Sequence, residues 1–202
     1  MFSGIVQEIG IIKNVQFLSG ILNIEISCDE LIKDLKEGDS IALDGCCQTV
    51  VKKNDSSFII QATEETLSKT NFKSFKISSK VNLESSLTLG DKINGHLVTG
   101  HIDATGKVSK ILSSGDNIIV KITFPVELKS HIAPKGSISV NGISLTVIDV
   151  INTEFSFSLI PYTRNNTNLG LIKEGDLVNL EVDLVSRYLV NYMENTKTLV
   201  HK

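Results

Sequence analysis

The sequence predicts an all-β chain: two tandem six-stranded Greek-key barrels from an internal duplication, followed by a C-terminal α-helix. Three observations carry this. The chain repeats itself at a shift of 97 residues, each half is a series of short apolar runs broken by turn signals, and the tail changes from a strand period to a helical one.

The shift lays "SIALDGCCQTVV" (40–51) on "SISVNGISLTVI" (137–148), "ETLSKTN" (65–71) on "YTRNNTN" (162–168) and "VNLE" (81–84) on "VNLE" (178–181). One residue of slippage near the start of each half puts "SGIVQEIG" (3–10) on "TGHIDATG" (99–106). Four blocks in one order exceed a chance match, so the chain divides into units at 1–96 and 97–184 with a tail at 185–202.

Along the first half the apolar runs are "GIVQEIGIIKNV", "ILNIEIS", "SIALDG", "QTVVKK", "SFIIQA" and "KVNLE", with "EGDS", "KNDSS" and "LGDK" as turns. Spacings of about 8–12 residues suit a barrel or sandwich, and two brief helical patches interrupt each half. Asp29 is expected to cap "ELIKDLKE", and Thr63 to cap "EETLSKT". Six strands with no long parallel crossover solve their edge problem by closing into a Greek-key barrel, a two-sheet sandwich being the alternative. In the tail, Val185, Leu189, Tyr192, Thr196 and Leu199 recur in steps of four and three, a seam of about two heptads. Such a helix is too short to stand alone. It packs on its own barrel or on partner subunits.

Composition sets limits. With 41% hydrophobic and 21% charged residues the chain is an ordinary globular one, and a net charge of −3 gives no electrostatic reason to expect nucleic acid or an anionic membrane. No apolar run approaches the roughly 18 residues that span a bilayer. The N-terminus lacks the basic and long apolar regions of a secretory signal. Cys28, Cys46 and Cys47 are odd in number, and the adjacent pair points to opposite faces of a strand. A disulfide framework and a zinc site are therefore not expected, and a cytoplasmic location is.

Duplication has a plain reading, a stable scaffold, and a sharper one, two equivalent pockets for two like ligands. Matched polar edges favour the second. "CQT" (47–49) faces "SLT" (144–146), and Thr49, Thr66, Thr146 and Thr163 supply hydroxyls beside strand-edge backbone. That set suits a flat heteroaromatic ring bearing a polyol, although threonine also serves β-propensity alone. The copies differ in pattern: Ile5 matches His101, Cys47 matches Ser144 and Gly38 matches Lys135. Groups able to move protons or bind an anion thus fall in the second half. His96 and His101, five apart, would lie on opposite faces of one strand, which argues against a shared metal.

"MFSGIVQEIG", "GCCQTV", "NGHLVTGHIDATG", "NGISLTV" and "IPYTRNNTNLG" together resemble the α-chain type of riboflavin synthase, over essentially the whole chain. The resemblance implies two six-stranded barrels and a helix that assembles a homotrimer. It implies a transferase that dismutates two molecules of 6,7-dimethyl-8-ribityllumazine to riboflavin and 5-amino-6-ribitylaminouracil, with no cofactor and no metal. A non-catalytic antenna protein that binds lumazine or flavin is the alternative. Lumazine synthase, the preceding enzyme, is a candidate partner.

By the same resemblance, substrate contacts in the first half fall on Gly4, Ile5, Val6, Cys47, Gln48 and Thr49, and on Gln61, Ala62, Thr63, Glu64, Glu65 and Thr66. In the second half they fall on Gly100, His101, Ile102, Lys135, Ser144, Leu145 and Thr146, and on Ser158, Leu159, Ile160, Pro161, Tyr162 and Thr163. His101 is expected to transfer protons, Ser144 and Asp183 to act as a polar pair, Cys47 and Thr146 to touch the substrate, and Phe2 to pack over a ring. Gln48 stands where that family more often has an apolar residue; its side chain contacts the ring or, the preferred expectation, faces solvent.

Overall fold

The computed structural model describes residues 1–115 and 117–200. Glu8–Leu18 (β1) and Ile21–Ser27 (β2) form a hairpin across Ser19 and Gly20, both at positive φ. A short helix, Leu31–Asp34 (α1), leads into Ser40–Leu43 (β3), Cys46–Lys53 (β4) and Ser57–Ala62 (β5). Helix Glu64–Lys69 (α2) and a 3-10 turn at Asn71–Ser74 precede Lys80–Ser85 (β6). The antiparallel order β1-β2-β5-β4-β3-β6 closes on itself, so this barrel presents no free edge.

The second half repeats the plan with Ala104–Ser114 (β7), Asn117–Thr123 (β8), Ser137–Val140 (β9), Ile143–Thr146 (β10), Asp149–Ile151 (β11), Glu154–Leu159 (β12), helix Pro161–Asn166 (α3) and Leu177–Val182 (β13). Its order is β10-β9-β13-β7-β8-β12-β11. Strands β10 and β11 are two pieces of the stretch that forms β4 in the first half. The sheet therefore begins and ends on one length of chain and curls through the same succession of neighbours. Strand β4 already slips register between Val50 and Lys52; in the copy the corresponding irregularity breaks the strand.

Period-two alternation fills each interior. Ile24, Ile26, Phe58, Ile60 and Leu83 are fully buried in the first barrel, and Val120, Ile122, Phe155, Phe157 and Leu180 in the second. Each such side chain contributes about 1.5–3 kcal/mol through burial. Cys28 and Cys46 join the first core; burial pushes their thiols up to about 11 and about 12, as expected of structural cysteines.

The expected caps are corrected. The first turn of α1 is held by Glu8 of β1, whose carboxylate accepts from the backbone N–H of Asp29, Glu30 and Leu31. Asp29 does not cap it. Thr63 occupies the N-cap position of α2 but makes no capping bond, leaving its hydroxyl 3.4 Å from that of Thr66.

The barrels meet at their matching Asp44-Gly45 and Asn141-Gly142 turns, all four residues at positive φ. Contact there is so close that a Cβ on Gly45 would stand 2.5 Å from the Gly142 nitrogen. Asparagines lace the junction: Asn82 donates to the Asn141 carbonyl at 2.8 Å and Asn179 to that of Asp44 at 2.9 Å. Helix Leu184–Val200 (α4) follows β13, with Val185, Tyr188, Leu189, Tyr192 and Met193 exposed along one side. The side chain of Leu199, last in the expected seam, lies outside the described residues.

Candidate functional site

The segment leading into each barrel is a strap that crosses to the other barrel. Gly4 lies on β10, where its carbonyl accepts from the Ser144 N–H at 2.8 Å. Gly100 lies on β4, its carbonyl accepting from the Cys47 N–H at 2.9 Å. Only glycine fits. Both take positive φ, and a Cβ would stand 2.7 Å from the Ser144 Cβ in one case and 2.5 Å from the Cys47 Cβ in the other. Val6 packs against the second core and Ile102 against the first.

Two buried carboxylates on equivalent strands hold the straps. Glu84 accepts from the Ser3 N–H and hydroxyl and from Gly4 N–H at 2.8, 2.9 and 3.1 Å. Glu181 accepts from the Thr99 N–H and hydroxyl and from Gly100 N–H at 2.7, 2.6 and 2.9 Å. Burial raises both carboxyls above their ordinary range, and these hydrogen bonds oppose the rise.

The exchange regroups the expected residues. A cavity of about 280 Å³ beside the first barrel is lined by Cys47, Gln48, Thr63, Glu65, Thr66, Gly100, His101 and Ile102. Its size is near the lower end for small-molecule sites, about 300 Å³. His101 thus serves the first barrel, against the expectation that placed it with Ser144. By the repeat, the residues equivalent to this lining are Gly4, Ile5, Val6, Ser144, Leu145, Ile160 and Thr163, of which Gly4 is bonded to Ser144 and Val6 packs on the second core. Thr49 and Thr146 are exposed on the outer faces that carry Cys47 and Ser144.

Further corrections follow. Ser144 is held by His96: its hydroxyl lies 2.7 Å from the imidazole Nδ1, whereas Asp183 accepts from Val185 N–H at the start of α4. Burial lowers His96 below the usual imidazole range, with nearby Asp183 opposing, and its Nε2 has no partner among the described residues. The Ser144–Asp183 pair is therefore a Ser144–His96 pair with Asp183 behind it. His101 lines the Cys47 pocket, whereas His96 is bonded to Ser144 of the second barrel. Phe2 is fully buried with Ala42 and Val98 and forms a bridge to Val98, so it wedges the structure instead of covering a ring.

Gln48 does not face solvent. It points inward beside Cys46, donating to the Cys47 carbonyl at 2.7 Å and to Cys46 Sγ at 3.2 Å. Glu64 turns away from the cavity toward Phe17 and Leu22. The Ala62 and Leu159 side chains belong to the cores, and Gln61 is exposed and bonds Asn23. Lys135 takes a left-handed turn with its N–H on the Val147 carbonyl, next to Thr146; Pro161 begins α3, Ser158 is half-buried and Tyr162 lies open at the rim. A larger groove, about 600 Å³, runs along the barrel junction past Lys80, Phe75 and Leu171, away from all of these side chains.

Comparison with known proteins matches the model of the lumazine binding domain twice, at residues 3–86 and 99–183. A protein of Photobacterium phosphoreum named riboflavin synthase is 37% identical over 94% of this chain and 87% of its own length. One of Mycobacterium tuberculosis, so named too, is 39% identical over 96% of this chain and 99% of its own. The crystal structure of LumP complexed with riboflavin superimposes with a TM-score of 0.85 at 26% identity, over 90% of this chain and 99% of that one. LumP complexed with 6,7-dimethyl-8-(1'-D-ribityl) lumazine gives 0.82 at the same identity and coverage.

Proposed function

The chain belongs to the riboflavin synthases, a family of paired lumazine-binding domains, and from that premise we propose that it dismutates two molecules of 6,7-dimethyl-8-ribityllumazine. One molecule gives a four-carbon unit to the other, and the products are riboflavin and 5-amino-6-ribitylaminouracil. Together they contain every atom of the two substrates, so the reaction needs no external oxidant or reductant. The observation that carries this reading is a pair of equivalent strap-covered beds with unequal polar groups, Cys47 with His101 and Ser144 with His96.

Unequal surroundings fix which of two identical molecules acts as donor and which as acceptor. Substitution at N8 makes the lumazine ring electron-poor and the methyl on C7 acidic. The protein's task is then to orient two rings and move protons. Orientation can lower the barrier by about 7–11 kcal/mol, and acid–base groups add a factor of roughly 10²–10⁴. At the second bed, neutral His96 accepts from the Ser144 hydroxyl and raises its basicity, while Asp183 stabilises the imidazolium. At the first bed His101 exchanges the proton, and Cys47, Thr49 and Thr66 line the ring and ribityl chain, as Thr146 and Thr163 do at the second.

The apolar side of α4 supports assembly as a homotrimer, with the reacting pair held between the first barrel of one subunit and the second barrel of the next. The units at 1–96 and 97–184 and a cytoplasmic location complete the proposal. Incubation of the purified protein with the lumazine tests it. Growth of riboflavin fluorescence with the loss of two lumazines per riboflavin formed is expected; tight binding without conversion replaces the synthase by the antenna reading.

A further inference from the structure

The two straps are built alike, but among the described residues only one carries a tie to the tail helix. Three residues beyond each strap glycine, a side chain accepts from the strand that precedes the next segment: Gln7 from Ser85 N–H at 2.7 Å, Asp103 from Val182 N–H at 2.9 Å. Asp103 does more. Its two carboxylate oxygens take the fork of Arg187, at 2.6 and 3.0 Å. Arg187 stands in the first turn of α4, its N–H on the Asp183 carbonyl, and the Asp103 side chain is only 12% exposed. A two-point, partly shielded pair fixes direction as well as distance, unlike a solvated surface contact.

We infer that Arg187 is a positioning residue for the first-barrel pocket: through Asp103 it sets the strap 99–103, and with it His101 and Ile102. This rests on the reading of both beds as lumazine sites. The strap is gripped at Gly100 by Glu181 and at Asp103 by Arg187, whereas the strap at 3–7 is gripped by Glu84 and Ser85, both of β6. The Arg187–Asp103 pair therefore bears on the first bed, whereas α4 meets the second at its cap, where Asp183 accepts from Val185 N–H and lies near His96. Assembly through the exposed side of that helix reaches the Cys47 pocket through one helical turn and one ion pair.

The test uses the full chain as it assembles, comparing the parent with Arg187→Gln, Arg187→Lys, Asp103→Asn and the Arg187→Gln/Asp103→Asn double variant. Riboflavin and the lumazine are titrated while the Cys47 and Ser144 amides and the His101 imidazole are followed by NMR, with turnover and sedimentation measured alongside. In Arg187→Gln, Cys47 and His101 shift before ligand is added, and filling of that pocket needs about tenfold more ligand. The Ser144 titration and the sedimentation stay at parent values, and kcat falls about tenfold. Lysine restores part, since it keeps the charge but not the fork. Asp103→Asn matches Arg187→Gln, and the double variant is no worse than either single one.

Unchanged Cys47 and His101 signals, equal weakening of both beds, or additive single effects overturn the inference. Should Arg187→Gln fail to fold, the ratio of the two affinities in Arg187→Lys decides alone. A parent that binds lumazine without making riboflavin sinks the proposed reaction, while the binding comparison still judges Arg187.

Discussion

Asp44 is a carboxyl where the repeat has Asn141, buried to 1% with no cation paired to it among the described residues. It accepts from Asn82 N–H at 2.7 Å and from the Asn168 amide at 2.8 Å, yet burial outweighs these bonds and raises its pKa to about 7. The folded value exceeds the unfolded one, so the folded state holds the proton more tightly. The stabilisation is full below about pH 4 and is lost as pH rises to about 7. Asp44→Asn is expected to abolish this slope and to stabilise the protein by on the order of 2–4 kcal/mol at pH 8. Urea unfolding of both proteins from pH 5 to 8 measures it; Glu84 and Glu181, raised in the same direction, contribute to both and cancel.

His96 gives a second residue-scale expectation. Its Nδ1 lies 2.7 Å from the Ser144 hydroxyl, and burial lowers its pKa below the ordinary value of 6.5. Turnover should fall on the acid side only below that value, and His96→Gln should remove that limb while lowering the rate by roughly 10²-fold. A pH–rate profile of the two proteins reads both. Neither role was legible in the chain, because the His96–Ser144 contact spans 48 residues and depends on how the linker folds back. Gln48 was legible and was misjudged. It shares parity with Cys46 and Val50, both buried, so period-two alternation alone points it inward.

At the scale of elements, the strands, the two type I′ turns and the repeat follow directly from alternation, Asp-Gly and Asn-Gly pairs and the 97-residue shift. The straps do not. Residues 3–6 and 99–102 match one another in the repeat, and nothing local says that each lies on the other's barrel. The repeat records ancestry; the packing exchanges partners. Gly100→Ala makes the point testable, since its Cβ would meet both the Cβ and the backbone nitrogen of Cys47 at φ +84°. Lifting the strap should weaken the first pocket by about tenfold or more while Ser144 still titrates normally, and should cost about 1–3 kcal/mol of stability. Two-site ligand titration and thermal unfolding check these outcomes.

For the whole molecule, the heptad seam foretold a helix with one sticky side, and the exposures of Tyr188, Leu189, Tyr192 and Met193, from 50% to 69%, leave that side unsatisfied within one chain. An exposed apolar strip of this kind is what the proposed assembly would cover. Truncating α4 would confuse assembly with the Arg187–Asp103 tie, so a single charge on the strip is the cleaner probe. Leu189→Glu puts a carboxylate on the far side of any helix-to-helix contact and leaves Arg187 in place. Sedimentation should show monomers at concentrations where the parent is associated. Both pockets should still fill, because each is completed by straps of the same chain. Riboflavin formation should nonetheless drop by at least 10²-fold under the proposed arrangement, in which the two rings are oriented across a subunit boundary. Raising the protein concentration should restore activity in step with reassociation. A monomeric Leu189→Glu protein that turns over at the parent rate would place both reacting rings on one chain, and the reaction would then have to run between the two barrels of a single molecule.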